Sequence, residues 1–149
     1  ELDRRGLAFE VAFAGQVFRD RPEAIERALA FLGDRVVPYD EREGRGAYAR
    51  LLRSSDIAVS TANNEFFGIA MMEAAYAGCD CLVPDRLAYP ELYPAESRYA
   101  DVSELVEKLA IRLAVRPEPG LLRSVASAHT FDACMAAYAE LFESVAARG

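Results

Sequence analysis

The sequence predicts an α/β fold: a parallel sheet with helices on both of its faces. Three observations lead there. Short apolar runs of strand length alternate with segments of helical spacing, glycines and prolines punctuate the joints, and 149 residues suffice for one domain with a core. Strands joined through helices of this length need right-handed crossovers, so neighbouring strands run parallel. The expected arrangement is a Rossmann-like sheet in one domain over 1–149, with its core at 9–99 and C-terminal helices at 101–147.

Each element has its own signal. Residues 9–14 (Phe-Glu-Val-Ala-Phe-Ala) form an apolar run closed by Gly15 and read as a buried strand. Pro22 suits a first helical position, and 24–32 has helical apolar spacing stopped by Gly33. Residues 35–39 are short and β-branched, a second strand. After the loop at Gly44 and Gly46, 47–53 is helical, with Tyr48, Leu51 and Leu52 on one face. A third strand at 57–60 leads to a helix over 67–77 that Gly78 ends. A fourth strand spans 81–83. Pro84, Pro90 and Pro94 leave room only for a short helix around Pro90-Glu91-Leu92. Two further helices follow, at 103–115 behind Asp101 or Ser103 as cap, and at 131–147 behind Thr130.

Composition excludes several function classes. There are 17 basic residues against 24 acidic ones, a net charge of -7, which disfavours unaided capture of a nucleic-acid backbone. No apolar run approaches the roughly 20 residues of a membrane span. Cys79, Cys81 and Cys134 are an odd set without zinc or redox spacing, as free thiols in a reducing cytoplasm would be. Cys79-Asp80-Cys81 reads as the start of a buried strand, with a metal or redox pair as the alternative. No metal ligand set is expected. The dinucleotide fingerprint G-x-G-x-x-G is missing after every predicted strand, which makes an oxidoreductase a poor third choice of function.

The loop after 57–60 is where such a sheet gathers ligands, beyond the carboxyl ends of its strands. A helix beginning near Phe67 or Gly68 would turn unpaired amides and its positive end toward that loop, an arrangement suited to phosphates. Gly68, without a Cβ, allows close approach. Glu65 lies just ahead of the helix and Glu73 eight residues on, up to about 12 Å away along a helical rise. Two acceptor-only carboxylates at that span could hold sugar and ribose hydroxyls, with phosphates between them. The plainer reading makes Glu65 a first-turn acid and Glu73 a solvated position. Against it, the residues around Glu73 are almost all apolar, so its charge calls for a ligand or for an ion pair with an arginine.

The segment Asn64-Glu65-Phe66-Phe67-Gly68-Ile69-Ala70-Met71-Met72-Glu73 resembles the donor-site motif of retaining glycosyltransferases of the GT-B fold. Flanking residues extend the likeness, from Ser55-Asp56-Ile57-Ala58-Val59-Ser60-Thr61-Ala62 to Leu87-Ala88-Tyr89-Pro90-Glu91-Leu92-Tyr93-Pro94. Within that family they are most similar to the tRNA-queuosine mannosyltransferase-like branch, over about 9–99. Asn64 departs from the His associated with the branch.

The resemblance implies the C-terminal half of a GT-B enzyme, beginning here at Glu1 without an initiator Met and preceded by an N-terminal acceptor-binding domain. GDP-mannose would be the donor and substrate, with no separate cofactor, and queuosine-modified tRNA would reach the enzyme through that other domain. Glu65 would be catalytic and contact the transferred sugar. Amides of Phe66, Phe67, Gly68 and Ile69 would lie at the sugar and diphosphate, Thr61 would join the donor site, and Glu73 would take the ribose. Tyr39 would sit at the base or else pack at a strand end. Arg19 and Arg21 are surface charges, or reach a phosphate if the loop after Gly15 faces the site. His129 is expected as a surface or capping residue. The competing class is a non-catalytic nucleotide-binding or interaction module with the same fold.

Overall fold

The computed structural model describes residues 1–14 and 22–147. Its elements in chain order are α1 (Glu23–Leu32), α2 (Arg45–Ser54), β1 (Ile57–Val59), α3 (Ile69–Ala77), β2 (Asp80–Pro84), α4 (Tyr89–Leu92), β3 (Arg98–Tyr99), α5 (Val102–Ala114), α6 (Arg123–Ser127) and α7 (Phe131–Ala146). Pro22 stands at the N-cap of α1, one position earlier than expected, and Gly33 ends the helix. The turn expected at Gly15, and Arg19 and Arg21 with it, lie outside the described residues.

The three strands form a parallel sheet in the order β1-β2-β3, with Ala58 opposite Cys81 and Val83 opposite Arg98. Two expected strands, at 9–14 and 35–39, are reduced to one parallel bridge between Val11 and Val36. Val11 donates to the Arg35 carbonyl at 2.8 Å and Val37 to the Val11 carbonyl at 2.9 Å. Pro38 follows directly and has no N–H with which to carry the ladder on. β3 is an addition, two residues long inside a stretch that prolines made look like loop.

Side-chain alternation on β2 divides the core between the two faces of the sheet. Cys81 and Val83 pack with Met71, Met72, Ala74 and Ala75 of α3, together with Tyr89, Tyr93, Leu122 and Ala126. Leu82 points the other way, against Tyr99 and Leu105 of α5. Helices therefore cover both faces. Burying a Leu or Val of this kind contributes roughly 1.5–3 kcal/mol, so the fully buried β2 is the strongest single element. Asp80, on the α5 side, pairs through Oδ2 with Arg112 Nε at 2.7 Å, both largely shielded from water.

The thiols of Cys79 and Cys81 are buried and point at backbone carbonyls, Cys79 at Leu52 (3.1 Å) and Cys81 at Met71 (3.6 Å). Burial pushes both thiols up from their ordinary value. These are structural groups at the start of a buried strand, in line with the sequence reading. Asp101 caps α5 by accepting from the Glu104 amide at 2.9 Å, while Glu104 accepts in return from Ala100 N at 2.7 Å. Thr130 caps α7. Helix α7 has no buried residue, and Phe131, Tyr138 and Phe142 are all exposed. Among the described residues no helix is long and apolar enough to cross a membrane.

Candidate functional site

The loop from Ser60 to Gly68 leaves the carboxyl end of β1 and is fastened on several sides. Ser60 Oγ and the Tyr89 hydroxyl are 2.9 Å apart, Tyr99 donates its hydroxyl to the Ser60 carbonyl at 2.6 Å, and Ser60 N bonds to Leu82 O at 2.9 Å. Arg86 reaches across to Ala62 O (2.9 Å) and Asn63 Oδ1 (3.0 Å). Burial raises the phenols of Tyr89 and Tyr99 above their ordinary range, so both remain neutral hydrogen-bonding groups. Leu87, beside Arg86, holds a left-handed φ of 62°, rare for a leucine.

Helix α3 begins at Ile69, later than the expected Phe67, because Gly68 serves as its N-cap at φ 83°. Gly68 is buried against the Tyr89 ring. The Gly68 carbonyl accepts from Met71 and Met72, both at 3.0 Å, whereas the amides of Gly68, Ile69 and Ala70 have no acceptor among the described residues. Three donors at the positive end of a helix dipole suit an anionic ligand. Glu65 is folded back: its Oε1 accepts from Phe66 N at 3.0 Å and Phe67 N at 3.3 Å. Two of the amides expected to face the donor are therefore occupied by the neighbouring carboxylate.

One cleft of about 1030 Å³ lies along α3 between α2 and α6. Phe67, Ile69, Glu73 and Tyr76 line its α3 side, Arg45, Tyr48 and Arg53 its α2 side, and Arg123, His129 and Thr130 the far wall. Of the predicted residues, the cleft brings together Phe67, Ile69 and Glu73. Glu65, Phe66, Gly68, Thr61 and Tyr39 are not in its lining. Phe66 is 99% exposed and Thr61 is also exposed. Tyr39 is half-buried and packs its ring 6.3 Å from that of Tyr48 at 51°, consistent with the packing alternative.

One expectation needs correction. Glu73 is exposed and has no ion pair with an arginine among the described residues, because α3 buries Met71, Met72, Ala74 and Ala75 and turns Ile69, Ala70, Glu73 and Tyr76 outward. Its charge faces the cleft and the Tyr48 hydroxyl, whose ionisation is pushed up by burial first and then by the Glu73 charge. His129 is exposed, the surface alternative expected for it, and Thr130 caps α7 instead; its ring stands edge-on to Phe67 with centroids 5.2 Å apart.

Sequence reasoning missed Arg45, Tyr48, Arg53 and Arg123. The signal on α2 was present: positions 45, 48, 49, 52 and 53 share one helical face. Most described cations are held in ion pairs. Arg45, Arg53 and Arg123 have no carboxylate in pairing reach among the described residues, and all three line this cleft. In a chain of net charge -7, that gathers three arginines against the one carboxylate of Glu73 in a concave place, an excess of positive charge that suits phosphate oxygens. Arg123 also covers the backbone turn at Gly78 and Gly120, close to the negative end of α3.

The sequence is 39% identical over 109 residues to a tRNA-queuosine alpha-mannosyltransferase of Drosophila melanogaster, a match covering 73% of this chain and 29% of that protein. The chain thus spans under a third of the length of the curated relative it matches. No family profile and no solved structure matches. Similarity to a glycosyltransferase and an α/β sheet with helices on both faces stand together.

Proposed function

We propose that this chain is the donor-binding domain of a retaining glycosyltransferase of the GT-B fold that uses a nucleoside-diphosphate sugar. The observation that carries the reading is the meeting, at one helix, of unpaired N-terminal amides and a Glu73 that faces a cation-lined cleft. The diphosphate lies at the amides of Gly68 to Ala70, the ribose diol at Glu73, and the transferred sugar at Glu65 after its carboxylate turns off the Phe66 and Phe67 amides. Negative charge that builds on the leaving diphosphate is stabilised by those amides and the helix dipole. The similarity to the mannosyltransferase supports GDP-mannose as donor and, for a longer protein carrying an acceptor-binding domain, queuosine-modified tRNA as acceptor.

A second reading has one observation in its favour. Glu65, bonded to its own loop, is the geometry of a module that keeps the fold and binds nucleotides without transferring sugar. Titration calorimetry separates the two. Donor recognition predicts tighter binding of GDP-mannose than of UDP-glucose and loss of that binding in Glu73→Ala. Equal affinity for all nucleotide sugars, or undiminished binding by the variant, would overturn the donor-site reading.

A further inference from the structure

Tyr48 lies between two positions that the sequence nominated separately. From α2 it faces Glu73 across the cleft, and its ring packs against that of Tyr39, 6.3 Å away at 51°. Tyr48 is half-buried where Glu73 is exposed, so the phenol has the restricted geometry and the carboxylate the freedom. A carboxylate on an outward helix face samples several rotamers, and holding it in one removes an ordering cost from ligand binding. A phenol offers one donor and a carboxylate only acceptors, so a bond from Tyr48 to Glu73 would occupy one carboxylate lone pair and leave the remainder for a ligand's hydroxyls.

We infer that Tyr48 is the positioning residue of the nucleoside end of the site: it fixes the Glu73 carboxylate for a ribose diol and couples it to the loop at Tyr39. The inference rests on the donor-site reading of Glu73 given above. The raised ionisation of Tyr48, caused first by burial and then by the charge of Glu73, agrees with the two groups facing one another. With the phenol protonated throughout the physiological range, the donor is always available. Arg45, one helical turn before Tyr48 on the same wall, adds a positive charge at this end of the cleft.

The test compares GDP, UDP and ADP with their 2′,3′-dideoxy counterparts by calorimetry on the 149-residue chain. Tyr48→Phe keeps the ring pair with Tyr39 and removes only the hydroxyl. The expected result is that the wild type prefers the ribonucleotide by about tenfold, the worth of a hydrogen-bond pair to a charged group, and that Tyr48→Phe cuts this preference to about threefold or less with an unchanged melting temperature. Glu73→Gln, as the reference, abolishes the preference. A wild-type preference left intact in Tyr48→Phe overturns the role of Tyr48 alone. A wild type without preference, or one that binds none of the nucleotides, overturns the donor-site reading and the inference with it.

Discussion

A Cβ built on Gly68 would stand 2.7 Å from Cε1 of Tyr89, a ring that is fully buried. Real side chains do not approach so closely, and Tyr89 has no room to retreat, being packed against Tyr93 at 5.9 Å and bonded to Ser60. Gly68 also holds φ 83°, where a Cβ is disfavoured in any case. Gly68→Ala should therefore destabilise the protein by about 2 kcal/mol or more in urea unfolding, the sum of backbone strain and a displaced core ring. An unchanged urea midpoint would refute the account.

The pair Asp80–Arg112 joins the start of β2 to α5. Arg112→Met leaves the buried carboxylate without its partner, and a loss of about 3 kcal/mol is expected by chemical denaturation. Asp80→Asn, which removes the charge and retains an acceptor, should cost less. Equal losses for the two variants would mean that packing of the arginine stem, rather than the stranded charge, sets the effect.

Alkali should weaken the fold. Burial raises the folded-state ionisation of Cys79 and Cys81 above 9.0, and of Tyr89, Tyr93 and Tyr99 above 10.0. Above those ordinary values the unfolded chain releases protons that the folded chain keeps, so stability is whole below about pH 9 and falls as pH rises beyond it. Melting temperatures recorded from pH 7 to 11 in a reductant should be flat at first and then decline. Cys81→Ala should soften the first part of that decline.

Glu65→Ala should remove sugar transfer by at least roughly a hundredfold in a protein that carries both halves of the site, if the carboxylate meets the sugar as the charge develops. The fold should survive, since the change gives up only two loop hydrogen bonds at a partly exposed position, about 1–3 kcal/mol in total. Activity assays paired with a thermal melt check both halves of the statement.

Local rules located every helix but α6, which has no side-chain cap, because the ends of most others carry local chemistry: Gly33 and Gly78 as stops, Asp101 and Thr130 as caps. Strands were less legible. A run such as 9–14 is apolar enough for a sheet, but pairing depends on what lies beside it, and here Pro38 limits the partner to one bridge. β3 owes its existence to a register with Val83 and Pro84 that no local pattern encodes. The site divides along the same line. Phe67, Ile69 and Glu73 follow from periodicity along one helix, whereas Arg123 and His129 reach the cleft from residues fifty and more positions later. Their arrival depends on α6 packing against α3, which is a tertiary event. The folded-back Glu65 was equally invisible, because a short acceptor beside two free amides can satisfy them locally without any sequence signature.

Ser60 binds three distant stretches of chain through three different groups: its amide to Leu82, its carbonyl to Tyr99 and its hydroxyl to Tyr89. Its neighbours therefore do not drift independently over evolutionary time. A lineage that loses the Tyr89 hydroxyl changes the selective value of every alternative at Ser60, and a lineage that replaces Ser60 releases Tyr89, which in turn is what confines Gly68. Substitutions in the 60–68 loop should accumulate as correlated sets rather than singly, with the order of replacement decided by which tyrosine gives way first.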